Sequence, residues 1–253
     1  MFFLLKRVIK KDPFSILELM RCLSLPFLLP FLFLSINKVC AQKEHSMDHI
    51  NCDTAHFHYT DYADSLSHFM QRMGNKKELK TNDIRLKTAF YLALSHYPEL
   101  HQKKITLRLK SIPSTMQAQP DASFLFKRRV KRGYHIFVND NPEPTGIDYR
   151  ELSFNALVGW LGHELAHLID YSSMKNRDLL SFVTAYVFDK REMRRTERQA
   201  DRETIKRGLG VQLLDGAHFF HKSKKVSKKY RKKNKKYYLS EEEIIADINK
   251  NCD

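Results

Sequence analysis

Hydrophobic and polar positions change their period along this chain, and the changes mark out its elements. Leu86, Phe90, Ala93 and Leu94 recur at helical spacing, so a helix is predicted over about 84–97, capped by Asp83 and ended by Pro98. Lys104 to Ile112 (KITLRLKSI) alternates apolar with polar residues, the pattern of a half-buried strand. Residues 113–120 read as a loop between prolines. Ser123 to Arg128 and Tyr134 to Asn139 predict a hairpin turning near Gly133. Three helical patterns follow, over about 152–171, 177–189 and 191–207, and Gly208 and Gly210 stop the last. Phe219 and Phe220 supply a further apolar anchor. Ser240 with Glu243 forms a capping box for a final helix carrying Ile244, Ile245 and Ile248. Upstream, residues 61–73 predict a short helix ending at Gly74, and residues 75–80 a charged linker. The pattern as a whole predicts an α+β domain: a small antiparallel-containing sheet followed by a helical half.

The first 41 residues have a different character. Leu23 to Ile36 (LSLPFLLPFLFLSI) is an uncharged apolar run, short for a membrane span and interrupted by Pro26 and Pro30. Small residues around Val39-Cys40-Ala41 offer a cleavage site, so residues 1–41 read as a signal peptide and the protein as exported, periplasmic or secreted. The alternative is an uncleaved segment that anchors the protein to a membrane. Met20 offers a second possible start. Residues 42–80 are then a polar N-terminal segment with a short helix, and the histidines 45, 49, 56 and 58 of its first part, residues 42–60, fit no ligand spacing.

Charge narrows the picture once it is located. The formal net charge is +15. Without residues 1–41 the balance is 38 basic against 27 acidic side chains, and ten of the basic ones lie in Lys222 to Tyr238 (KSKKVSKKYRKKNKKYY), which has no acid. The remainder is balanced at 28 against 27, so the basicity belongs to one segment. In an exported protein, that segment (222–238) meets an anionic lipid or cell-wall surface or an acidic protein, with no nucleic acid expected; otherwise it is a solvated linker. Cys52 and Cys252 are the two cysteines left after cleavage. Export permits a disulfide between them, and two free thiols are equally compatible with the sequence.

The chemistry lies in the helical half. On the helix over 152–171, Leu157, Val158, Leu161, Leu165, Leu168 and Ile169 form one apolar stripe, and His163 and His167 lie together on the opposite side. Gly159 and Ala166 on that side allow a close neighbour. Trp160, near the histidines, reads as core in preference to a cleft wall. Two imidazoles one turn apart with Glu164 between them are the geometry of a metal site with a carboxylate base. A third ligand is expected on the helix over 191–207, whose buried stripe holds Glu197 and Asp201. A metal offsets the cost of burying Glu197, and Asp201 is placed to hold the free N–H of a ligating histidine. An ion pair with Arg194 is the alternative.

His163-Glu164-Leu165-Ala166-His167 followed by Glu197-Arg198-Gln199-Ala200-Asp201 resembles the gluzincin metallopeptidases of the HtpX and CAAX prenyl protease kind. The resemblance covers residues 84–221 and implies a zincin-like domain over 81–221. It implies Zn2+ held by His163, His167 and Glu197, Glu164 as general base and Asp201 in support. Integral-membrane members carry several spanning helices that this chain lacks, so their intramembrane substrates do not carry over. The function expected is an exported zinc endopeptidase acting on protein or peptide segments. The rival is a catalytically silent, zinc-stabilised binding domain that uses residues 222–238 to hold an anionic partner; an intact Glu164 argues against it. Tyr149, Tyr171, His218 and His221 are the candidate donors to an oxyanion. The strand at Tyr134 to Asn139 is the candidate for pairing with an extended peptide.

Overall fold

A computed structural model describes residues 56–251. Residues 1–41, expected as a signal peptide, and His45, His49, Cys52 and Cys252 lie outside the described residues.

The described residues open with α1 (Tyr59–Tyr62) and α2 (Leu66–Met73), and Gly74 ends the latter. Strand β1 (Lys77–Lys80) leads into α3 (Ile84–Ser95), whose first turn is capped by the Asp83 carboxylate accepting from the Leu86 N–H at 2.9 Å. Three more strands follow: β2 (Lys104–Leu109), β3 (Met116–Pro120) and β4 (Gly133–Val138). They form one sheet in the order β1-β2-β4-β3, in which β1, β2 and β4 are parallel and β3 alone is antiparallel to its neighbour. The helical half comprises α4 (Phe154–Ser173), α5 (Asn176–Phe188), α6 (Lys190–Thr204), α7 (Gly210–Lys222), α8 (Lys228–Tyr237) and α9 (Glu241–Lys250). The architecture is mixed α+β. Among the described residues, no helix is long and apolar enough to cross a membrane.

Two strands depart from the pattern reading. Residues 77–80 (KELK) form an edge strand against β2, where a charged linker was expected. A strand with one neighbour and an open edge tolerates charge, so its sequence carries no apolar signal. Residues 116–120, expected as a loop, are the other edge strand, with Met116, Ala118 and Pro120 buried and Gln117 and Gln119 half-exposed. The predicted strand over Ser123–Arg128 is instead a 3₁₀ turn over Ala122–Phe126. The Asp121 carboxylate starts it by accepting from the Ser123 N–H and hydroxyl, at 2.9 and 2.8 Å. Tyr134 to Asn139 therefore pairs with Met116–Pro120 and lies inside the sheet.

Helix α4 is the central element. Ser153 caps it through the Ala156 N–H at 2.9 Å, and nearly all of its residues through Leu168 are buried between the sheet, α3, α6 and α7. Its close approach to α7 occurs at Gly159, where an added Cβ would lie 2.3 Å from the carbonyl of Gln212. That approach depends on the turn after α6. Gly208, at φ 81°, breaks the helix inside the Ile205–Leu209 π-turn, and the chain re-enters helix at Gly210 to run back over α4. Gly159→Val is expected to destabilise the fold by about 1–3 kcal/mol in urea or thermal unfolding, because the clash is with backbone. Trp160, half-buried where a core position was expected, packs on Phe219 and Phe220 of α7.

The C-terminal helix α9 has its capping box, with Ser240 and Glu243 satisfying each other's backbone N–H. Ile244 packs with Ile205, Leu213 and Leu239. Arg198 of α6 bonds the Glu243 carboxylate and, with the Ser240 N–H, holds its pKa down at about 2. This clamp therefore acts fully above about pH 4.5 and is lost as pH falls through about 2. Hydrogen exchange at the Ile244–Asp247 amides is expected to accelerate across that interval in the parent and to be already fast in Arg198→Ala.

Candidate metal centre

His163 and His167 occupy successive turns of α4 on the side facing α6, and Glu197 projects from α6 toward them. All three are buried. His163 Nε2 lies 3.1 Å from His167 Nε2 and 3.1 Å from Glu197 Oε2, and the remaining edge, His167 Nε2 to Glu197 Oε2, is 3.5 Å. These three side chains can hold a metal ion, and they form the one such group among the described residues.

The proton inventory explains why a cation belongs there. His163 Nδ1 is 2.8 Å from Asp201 Oδ1, and a carboxylate can only accept, so Nδ1 carries the hydrogen. His163 Nε2 then faces another imidazole nitrogen and a carboxylate oxygen, each at 3.1 Å, and His167 Nδ1 has no partner among the described residues. Nitrogen and carboxylate atoms this close need a positive charge among them, which a proton on an imidazole or a metal ion supplies. Without a metal ion, a proton on His163 fills that role. Burial opposes charge on His163, yet its hydrogen bonds to Asp201 and Glu197 raise its pKa well above the ordinary histidine value. Burial likewise opposes ionisation of Glu197, yet the two imidazoles hold its carboxyl well below the ordinary range.

Asp201 does more than hold one ring. Its Oδ2 accepts the backbone N–H of Leu239 at 2.9 Å, so one carboxylate ties α4, α6 and the start of the C-terminal segment together. Asp201→Ala is expected to leave all three ligand side chains present and to weaken metal binding about 10–100-fold in competition with a chelating dye. Arg194, the alternative partner of these carboxylates, is exposed.

No family model, curated protein or solved structure was found to match this chain. The site is therefore read from its own geometry.

Glu164 is buried beside the cluster. Burial pushes its carboxyl up, while His163, His167 and a hydrogen bond with the Ala118 backbone pull it down. Ala118 is the middle of β3, so the edge strand runs next to this carboxylate.

The sequence-derived candidates around the site separate clearly. Tyr171 belongs to it: its ring lies nearly parallel to His167, with centroids 6.1 Å apart. His218 and His221 do not. Both bond the Glu241 carboxylate, at 3.2 and 2.6 Å, and so fasten α7 to α9. Tyr149 sits beside Asp83 at the head of α3, where burial and that carboxylate push its phenol up to about 12. The strand proposed to pair with a peptide, Tyr134 to Asn139, has β2 on one side and β3 on the other, so it has no free edge; β3 does.

Three tyrosines were missed. Tyr186 of α5 donates to Glu197 Oε1. The Tyr238 ring lies 5.5 Å from that of His163. Tyr230 accepts the N–H and hydroxyl of Thr115, at 3.0 and 3.2 Å, just before β3. Burial, and after it mainly the charges of Glu164 and Glu197, raise the pKa of Tyr171, Tyr186 and Tyr238, so these phenols keep their protons. Tyr186 comes from α5, Tyr230 and Tyr238 come from the two ends of α8, and no local spacing signals their meeting.

Proposed function

We propose that this protein is an exported zinc-dependent endopeptidase with a zincin-like catalytic domain. The observation that carries the proposal is the triangle of His163 Nε2, His167 Nε2 and Glu197 Oε2 with Glu164 buried beside it. Tetrahedral zinc with nitrogen and oxygen ligands at about 2.0–2.2 Å places its ligand atoms about 3.3–3.5 Å apart. One edge, at 3.5 Å, matches that spacing, and the two at 3.1 Å are slightly shorter, so small outward shifts of the His163 ring would admit the ion. Two histidines and one carboxylate also leave a fourth position, as catalytic zinc requires. The zincin-like reading is supported by the mixed sheet, whose antiparallel edge strand runs beside the His-Glu-x-x-His helix.

When bound, zinc would polarise a peptide carbonyl and acidify a water molecule. The chain's own residues supply the rest. Asp201 fixes the His163 tautomer with Nε2 turned inward. The free edge of β3 can pair with an extended substrate and bring its backbone past Glu164. Glu164, whose burial raises its basicity, takes a proton from the attacking water. Water oxygen then joins the carbonyl carbon, the C–N bond breaks, and Glu164 delivers that proton to the leaving amine. Tyr230 and Tyr238 are the phenols proposed to donate to the carbonyl oxygen as charge develops there. His218 and His221 are engaged with Glu241.

The test is metal-dependent hydrolysis of an unfolded protein such as casein. Activity is expected in the purified protein, lost on treatment with a zinc chelator and restored by zinc. A zinc-loaded protein that cleaves no unfolded or peptide substrate would leave the silent binding domain as the better reading.

A further inference from the structure

Helix α8 carries a charge distribution that the chemistry above does not use. Lys228, Lys229, Lys232, Lys233, Lys235 and Lys236 span about 160° of its circumference, and all six are exposed. The opposite arc faces the protein. Arg231 there donates to the carbonyls of Phe220, His221 and Ser223 at 3.2, 2.5 and 2.7 Å, and Tyr237 is buried. Three arginines of α6 and the turn after it find acids: Arg198 with Glu243, Arg202 with Asp247, and Arg207 with Glu99 and Glu203. Among the described residues, none of the six lysines forms an ion pair; Lys233 and Lys236 lie over the rings of Tyr230 and Tyr237. The pairs 228/232, 229/233 and 232/236 stand four residues apart, where like charges destabilise a helix. An anionic ligand along this face would relieve that repulsion.

The position of the helix says which ligand. Tyr230, in its first turn, is bonded to Thr115 at the head of the edge strand. Tyr238, just past its last turn, packs on His163, and the Leu239 N–H bonds Asp201. The helix thus borders the metal cluster from the mouth of β3 to the ligand His163. We propose that its lysine face recruits substrate, and that the peptides cut by this enzyme carry a run of Asp or Glu beside the scissile bond. The proposal rests on the peptidase reading for its substrate, and on the charge of the helix for its chemistry. A bilayer is the weaker occupant, because the apolar side chains of this segment are turned inward: Val226 and Tyr237 are buried. The lysine arc offers charge without an apolar anchor.

Two fluorogenic peptides sharing one cleavable core, one with an added hexaglutamate flank, test the idea on the full zinc-loaded chain. The acidic peptide is expected to be cleaved with kcat/KM about 10-fold higher or more, a steering effect of ordinary size. That ratio is expected to fall toward one in high salt, and in a variant with all six lysines changed to glutamine. Should that variant lose its far-UV helical signal, Lys232→Gln with Lys236→Gln and the salt series of the parent carry the test. A ratio near one in the parent overturns the proposal and leaves the peptidase reading intact. If neither peptide is cleaved, the peptidase reading fails, and fluorescence anisotropy with Glu164→Gln protein decides the surface separately. There the acidic peptide is expected to bind about 10-fold tighter than the neutral one, and equal affinities overturn the proposal. Phosphatidylglycerol vesicles or single-stranded RNA that outcompete the acidic peptide through the same six lysines also overturn it, by showing a different occupant.

Discussion

Glu164→Gln is expected to bind zinc as the parent does and to lose hydrolysis by a factor of about 10²–10⁴, the usual contribution of a positioned general base. The substitution keeps the size and shape of the side chain. It touches none of the three ligand atoms, which belong to His163, His167 and Glu197. What it removes is a carboxylate that can accept a proton and hand it on. That carboxylate is buried, and burial raises its pKa toward the working range of a base. Metal content by mass spectrometry and cleavage of a fluorogenic peptide, measured on the same preparation, check both halves. Undiminished hydrolysis in the variant would remove Glu164 from the chemistry.

Glu197→Ala is the second large effect. It takes away one ligand and leaves Tyr186 without its acceptor. Losing a residue that merely supports a ligand costs about 10–100-fold in metal affinity, so losing the ligand itself is expected to cost more than about 100-fold. The variant is therefore expected to emerge without zinc and without activity. The glutamine variant is expected to fall between the two, because a neutral oxygen can still approach the ion but brings no charge. Full metal retention in Glu197→Ala would mean that another side chain completes the coordination, and Asp201 would be the first to examine.

Much of this site was legible in the chain. His163 and His167 stand opposite the leucine stripe of their helix, and Glu197 and Asp201 stand within the buried stripe of theirs; buried carboxylates that need partners are a strong local signal. Asp201 was expected to hold a histidine N–H, and it lies 2.8 Å from His163 Nδ1. The edge strands were not legible. β1 is Lys-Glu-Leu-Lys, and β3 ends on a proline and alternates with glutamine, so neither resembles a buried strand. Their pairing is decided by β2 and β4, which are apolar enough to seed the sheet. Helix α8 read as part of a basic segment because the ten lysines and arginines of residues 222–238, with no acid among them, look like solvated chain. Its order comes from Ser227 capping the Tyr230 N–H and from contacts of Tyr230, Arg231 and Tyr237 with distant residues. Tyr171 was among the candidates, whereas Tyr186, Tyr230 and Tyr238 escaped for the same reason, since tertiary packing alone gathers them around the cluster.

The most direct measurement is zinc-edge X-ray absorption on the zinc-loaded protein and on its His163→Ala, His167→Ala and Glu197→Ala variants. The expected result is one zinc per chain with two imidazole ligands and oxygen neighbours at about 2.0–2.2 Å. Zinc content should fall in each of the three variants. A protein that takes up no zinc, or whose zinc is unmoved by all three substitutions, would contradict the metal centre, and the peptidase proposal with it.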